Sequence, residues 1–242
     1  MCYRDRGKKK ANNNYSTWVL KRTIMGERRI KVVPDVCLQG LRKLCNEHEI
    51  LLILDEVITG FGRTGETFAA EAFKVKADLI TIAKGMTSGM VPMGGVLVKE
   101  EIYETFMTGP EDSIEFFHGY TYSGHPLAAA AGLATLTVYE EEGLFARAKS
   151  LAPILEEELQ TIKGCPNVID IRNYGLLGAV ELQPIEGKPT ARAMAVFRQC
   201  FDDGLLVRTT GDTIALCPPL IASEDQVRTV VEKLKECLNS IG

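Results

Sequence analysis

Ile50-Leu51-Leu52-Ile53-Leu54-Asp55-Glu56 and, after a gap, Leu79-Ile80-Thr81-Ile82-Ala83-Lys84-Gly85 are the two stretches on which the fold of this chain turns. Each is a short apolar run with branched residues and no alternation, the pattern of a strand buried on both faces of a parallel sheet. Each run ends in a side chain that does not belong in a core: a carboxylate at Asp55, an amine at Lys84. In open α/β sheets ligands sit outside the carboxyl ends of the strands, so the pattern predicts that Asp55 and Lys84 face one crevice.

The surroundings bound the alternatives. With 242 residues the chain is long enough for a substantial core, as one large domain or two smaller ones. The net charge of -4 hides a split: residues 1–31 carry ten Lys or Arg against Asp5 and Glu27, which leaves a strongly acidic remainder. An acidic body argues against a nucleic-acid partner. No apolar run approaches the roughly 18 residues of a membrane span, and the N-terminus lacks the apolar centre of a signal peptide. The seven cysteines (2, 37, 45, 165, 200, 217, 237) are scattered without a C-x-x-C pair, which reads as reduced thiols and a cytoplasmic location.

Working outward, residues 1–25, with Lys8-Lys9-Lys10-Ala11-Asn12-Asn13-Asn14 at their centre, show neither helical nor strand period and are expected to be a disordered basic leader. Leu38, Leu41, Leu44 and Cys45 recur at helical spacing and predict a helix feeding the first strand. After Lys84, glycines 85, 89, 94 and 95 around Pro92 mark a loop before a strand at Val96-Leu97-Val98. His125-Pro126 starts a helix running to about Glu142, proline suiting the first turn, and a second helix runs from about Leu144 to Ile162. From about residue 145 the pattern changes to shorter strands and amphipathic helices. Val168 to Arg172 and Gly178 to Leu182 read as paired strands, Arg192 to Asp202 as a helix and Gly204 to Arg208 as a strand. Ser223 with Gln226 forms a capping box for a last helix whose apolar face is Val227, Val230, Val231, Leu234 and Leu238. The expected organisation is a leader (1–25), a partial large domain (26–144) and a C-terminal α+β small domain (145–242).

Taken alone, Asp55 has competing readings. A strand ending Asp-Glu also describes the magnesium-binding strand of a P-loop nucleotidase, but the required G-x-x-x-x-G-K-[ST] loop is absent from the sequence. A structural aspartate capping the next turn is the plain alternative. Lys84 follows a buried-strand pattern and precedes Gly85-Met86-Thr87-Ser88-Gly89, so partial burial of its amine is expected, which would suit a nucleophile and proton carrier. A carboxylate and an amine at neighbouring strand ends are also what pyridoxal phosphate chemistry requires. The amine forms a Schiff base with the cofactor, and the carboxylate keeps its pyridine nitrogen protonated.

Leu54-Asp55-Glu56-Val57-Ile58-Thr59-Gly60-Phe61-Gly62-Arg63-Thr64-Gly65, followed by Asp78 to Gly85, closely resembles the signature of class III pyridoxal-phosphate aminotransferases. The resemblance covers about residues 29–242. His118 to Pro126, Asn167 to Asn173 and Val207 to Thr213 resemble the ω-amino acid (β-alanine):pyruvate branch. It implies a fold type I transferase, α/β, with a mostly parallel sheet and a C-terminal small domain. It further implies transamination between an ω-amino acid or amine and an oxo-acid such as pyruvate, with pyridoxal 5'-phosphate as cofactor, no metal, and a homodimer or homotetramer. By the same resemblance Asp55 pairs with the pyridinium nitrogen, Val57 packs on the ring face, and Lys84 is the Schiff-base lysine. Thr121 binds the cofactor phosphate across a subunit interface, and Arg208 grips a substrate carboxylate, for which a planar guanidinium fork is suited. His118 and His125 are read as structural, and Glu56 as a supporting neighbour. Family members are far longer, so the match covers the back half of an active site, and exposed apolar edges are expected. A non-catalytic remnant of the fold is therefore the second reading, and an aminomutase or racemase on the same scaffold the third.

Overall fold

The structure, a computed structural model, describes residues 17–25, 30–112, 116, 118 and 120–241. Strands β1 (Trp18–Arg22), β4 (Leu51–Asp55), β5 (Leu79–Ala83) and β6 (Gly94–Val98) form one sheet in the order β1-β4-β5-β6. The first three run parallel and β6 antiparallel. Strands β2 (Ile24–Met25) and β3 (Lys31–Val32) make a small antiparallel ladder, and helix α1 (Asp35–Glu47) leads into β4. The α1 face is as predicted at Leu38 and Cys45, which are buried, but Leu44 faces outward. Helix α2 (Ala69–Ala72) lies between β4 and β5, and α3 (Glu100–Met107) follows β6.

Two of the sequence expectations for this sheet need correction. Residues 17–25 are not a disordered leader: Trp18 pairs with Leu51 through to Arg22 with Asp55, and Thr23 and Ile24 are fully buried. Residues 1–16 lie outside the described residues. The strand hides in the sequence because its apolar part, Trp18-Val19-Leu20, is brief and sits among charges; β4 supplies the template that orders it. Nor are β4 and β5 buried evenly on both faces. In β4 the burial alternates, with Leu52 and Leu54 inaccessible and Leu51 exposed, because among the described residues α1 and α2 pack against one face only.

Helices α4 (Pro126–Glu141) and α5 (Leu144–Gln160) match their predicted spans closely. The second sheet is antiparallel, ordered β7-β8-β10-β9 from β7 (Val168–Tyr174), β8 (Leu177–Leu182), β9 (Arg208–Thr210) and β10 (Thr213–Leu216). Helices α5, α6 (Ala191–Asp202) and α7 (Glu224–Ile241) pack around it. The capping box of α7 is present in both directions: Ser223 N–H donates to Gln226 Oε1 at 2.9 Å and Gln226 N–H to Ser223 Oγ at 3.2 Å. The strand expected over 204–208 begins only at Arg208. Gly204, at φ +78°, ends α6 in a left-handed turn and Leu205 N–H donates back to the Cys200 carbonyl, so the backbone there is spent on closing the helix.

The two sheets share their apolar interior. Leu177 and Ala179 of β8 pack with Leu52, Leu54, Ala69 and Phe73, while Phe61 and Ile82 join the cluster built around α5, α6 and α7. The far edge is bare by comparison: Val96, Leu97 and Val98 of β6 are each more than 40% exposed, and Leu127, Leu133 and Leu136 of α4 face outward.

Candidate active site

Asp55 and Lys84 sit at the carboxyl ends of neighbouring parallel strands. Asp55 is the last residue of β4 and pairs in register with Thr81 of β5; Lys84 follows the end of β5. Glu56 N–H donates to the Thr81 carbonyl at 3.0 Å, so the two strand ends are tied together immediately beside Asp55.

Around Asp55 the turn is held by its neighbours. Val57 N–H donates to Asp55 Oδ1 at 3.2 Å, which fixes the half-buried Val57 against the carboxylate. Arg22, brought alongside by β1, donates Nε–H to Asp55 Oδ2 at 2.8 Å. Glu56 points the other way and is fully buried. Its carboxylate accepts from Ala69 N–H at 3.1 Å, from Ala70 N–H at 2.7 Å and from the Thr59 hydroxyl. It thereby serves the first amides of α2, where unpaired donors favour negative charge. Burial pushes the Glu56 carboxyl above the usual range, and the three donors pull against that rise. Glu56 is thus a clamp between the Asp55 turn and the loop that follows.

Lys84 opens a single 3-10 turn, Lys84–Thr87, with φ +46°, in the left-handed region that side chains with a Cβ seldom adopt. Non-glycine residues held there cluster at functional sites. The turn is kept in place from several sides. Tyr139 of α4 donates its hydroxyl to the Gly85 carbonyl at 2.7 Å, and its ring stacks on Phe61 with centroids 6.1 Å apart. Thr87 Oγ1 donates to the Val91 carbonyl at 2.6 Å. Gly85 is required for space, since a Cβ there would lie 2.8 Å from Phe61 Cβ. The Lys84 side chain is exposed, not partly buried as expected, because the turn carries it past the end of the sheet. Among the described residues its amine makes no hydrogen bond or ion pair.

The remaining candidates lie further out. Thr121 is in the exposed turn before α4, and the first turn of that helix is served by His125, whose Nδ1 accepts from Leu127 N–H at 3.3 Å. The reading of His125 as structural fits that cap. His118 lies against the Tyr120 ring, centroids 4.8 Å apart, on an exposed segment. Arg208 opens β9, the edge strand of the second sheet, and is exposed. No described contact joins Arg208 to the Asp55–Lys84 edge.

Sequence reasoning missed three residues that shape this site. Arg22 lay in the presumed leader. Tyr139 sits in an alanine-rich helix with no local signal of a buried hydroxyl. Asp78 supports β5 from its other end: Arg42 donates to it at 2.5 Å, Lys99 at 2.6 Å and Leu52 N–H at 2.7 Å. Burial opposes ionisation there, but the Arg42 and Lys99 hydrogen bonds outweigh it and hold the Asp78 carboxyl below the usual range.

A family model, aminotransferase class-III, matches residues 7–238. The chain belongs to the class III aminotransferase family. This class III chain is 49% identical over 223 residues to an omega-aminotransferase of Caulobacter vibrioides, covering 92% of the chain and 51% of that protein. It is 44% identical over 226 residues to a beta-alanine–pyruvate aminotransferase of Pseudomonas aeruginosa, covering 93% and 50%. Among solved structures, an (S)-enantioselective omega-transaminase from Thermomicrobium roseum superposes with a TM-score of 0.85 at 35% identity, over 92% of this chain and 50% of that one. A Bacillus anthracis aminotransferase superposes with a TM-score of 0.84 at 34% identity, over 93% and 52%. The chain therefore spans about half the length of the relatives it matches. The match from residue 7 also takes the family likeness into the segment expected to be an unrelated leader.

Proposed function

We propose that this class III chain carries the lysine-bearing half of the active site of a pyridoxal-phosphate-dependent aminotransferase, acting between an ω-amino acid or amine and an oxo-acid such as pyruvate. The observation that carries the reading is the placement of Asp55 and Lys84 at the carboxyl ends of adjacent parallel strands, β4 and β5.

The residues present fit the cofactor. Each Asp55 oxygen accepts one described donor, and a carboxylate oxygen has room for a second. The Lys84 amine is exposed and unpartnered among the described residues, open to an aldehyde. Lys84 would hold the group covalently, Asp55 would face its ring nitrogen, Val57 a ring face, Thr121 its phosphate and Arg208 a substrate carboxylate. When bound, pyridoxal phosphate supplies an electron-accepting ring that makes the hydrogen on the substrate's amine-bearing carbon acidic. The chain's own share is to position and to move that proton. Lys84, on a turn clamped by Tyr139, is the base that takes it and the acid that returns it, work that contributes roughly 10²–10⁴ in rate. Asp55, oriented by Val57 N–H, keeps a negative charge beside the ring nitrogen.

The exposed β6 and α4 surfaces support a homodimer or larger assembly, while a match to only half of each relative supports the second reading, a non-catalytic remnant of the fold with weak or no cofactor binding. Among the described residues Cys37, Cys165, Cys200, Cys217 and Cys237 are free thiols, which supports a cytoplasmic setting. The test is to incubate the purified chain with pyridoxal phosphate, reduce with borohydride, and map the adduct by mass spectrometry, alongside a β-alanine and pyruvate turnover assay. A single adduct at Lys84 is expected, lost in Lys84→Ala. Adducts scattered over surface lysines would defeat the reading. A Lys84 adduct without turnover would mark a cofactor-holding chain that lacks the rest of the catalytic machinery.

A further inference from the structure

The carboxylate assigned to the cofactor's ring nitrogen is already paired with a cation. Strands β1 and β4 are parallel neighbours with Arg22 directly across from Asp55, so the two side chains leave the sheet on the same face. The result is an ion pair, Arg22 Nε to Asp55 Oδ2 at 2.8 Å, in which the Asp55 side chain is 14% exposed and that of Arg22 38%. The other oxygen accepts Val57 N–H.

This pairing bears on what Asp55 can do. Its use to a heteroaromatic nitrogen is an uncompensated negative charge that favours the protonated ring. A guanidinium stays charged at any working pH and cannot step aside by losing its proton. At hydrogen-bond distance it offsets the carboxylate's charge and also repels a protonated ring brought to the same place. An aspartate held only by Val57 N–H would suffer neither effect.

We propose that Arg22 is a specificity-determining residue that weakens the chain's hold on a protonated pyridine ring, so that cofactor affinity is limited by the Arg22–Asp55 pair. The inference rests on the function proposed above. It predicts that removing the charge at residue 22 tightens binding, and that the gain belongs to the ring nitrogen and not to the rest of the ligand. The size should be about tenfold, equivalent to ~1.4 kcal/mol, between the small worth of an exposed pair and the larger worth of a buried one.

The experiment compares wild type, Arg22→Met and Arg22→Lys in the full chain, with two ligands. One is pyridoxal phosphate; the other is its 1-deaza analogue, in which carbon replaces the ring nitrogen. Dissociation constants are read from quenching of the single tryptophan, Trp18, which lies on the same strand as Arg22. Arg22→Met should tighten pyridoxal phosphate about tenfold and leave the analogue within twofold, while Arg22→Lys, which keeps the charge, stays near wild type. The proposal is overturned if both ligands tighten equally, if pyridoxal phosphate gains less than twofold, or if Arg22→Met binds neither. Borohydride trapping on the same samples keeps the two readings apart. Trapping at Lys84 with no effect of Arg22→Met sinks only the Arg22 proposal; a nitrogen-dependent gain with no trapping at Lys84 sinks only the Schiff-base role.

Discussion

Replacing Lys84 by glycine and, separately, by alanine removes the same amine but leaves different backbones at φ +46°. Holding a residue with a Cβ in the left-handed region costs about 1–2 kcal/mol. Glycine escapes that cost but loses about 0.5–1 kcal/mol more than alanine in backbone entropy on folding. Taking the middle of each range, Lys84→Gly should be more stable than Lys84→Ala by about 0.7 kcal/mol. At an ordinary helical or strand position the order reverses, alanine winning by about 0.5–1 kcal/mol, so the sign alone decides. For a chain of this size the difference corresponds to about 2 °C in melting temperature. The assay is urea unfolding followed by Trp18 fluorescence, with a calorimetric melt as a second probe, on protein without added cofactor. An alanine variant as stable as the glycine variant, or more so, would refute the claim that the turn bearing Lys84 is held under backbone strain.

Other outcomes follow from the same contacts. Tyr139→Phe keeps the ring stack but leaves the Gly85 carbonyl only the Ser88 N–H at 3.3 Å, so it should cost about 1 kcal/mol and speed hydrogen exchange at the Ser88 and Gly89 amides, which bond back into this turn. Gly85→Ala, with its Cβ 2.8 Å from Phe61 Cβ, should cost about 1–3 kcal/mol in the same melts. Because burial raises the Glu56 carboxyl above its ordinary 4.5, its contribution to stability is whole below that pH and declines as pH rises through the folded-state value. A Glu56→Gln variant should flatten that decline, visible as a smaller change in urea midpoint on the alkaline side of pH 4.5. Asp78 behaves oppositely: held below 3.8, it stabilises above that pH and its contribution is lost as pH falls through the folded-state value. Asp78→Ala, which removes the carboxylate that Arg42 and Lys99 share and leaves Arg42 only the Lys76 and Ile50 carbonyls at 3.5 Å, should cost about 3 kcal/mol at neutral pH.

Much of the fold was legible because its information is local. The β4 and β5 runs, the Pro126 helix start and the Ser223–Gln226 box each carry their signal within a few residues, and the structure has them where they were read. What stayed hidden depends on partners distant in sequence. β1 is a strand only because β4 lies beside it, and nothing near Trp18 announces that. Leu44 and Leu51 face outward although their runs are apolar, since periodicity does not say which faces a neighbouring layer will cover. In the site, Asp55 and Lys84 were found from their positions at the ends of apolar runs. The Arg22 pair and the Tyr139 clamp join residues far apart in the chain, and the positive φ at Lys84 is one that no residue preference would suggest.

The sharing of Leu177 and Ala179 between the second sheet and the packing beneath β4 has a consequence for how the chain comes apart. Strand β8 is common property, so loosening the C-terminal region strips contacts from the strand that ends in Asp55. Heating should therefore give a single melting step, and a piece cut at residue 145 should not survive by itself. Drift in the distant helices would reach the strand-end acid and amine through that seam, without touching either directly.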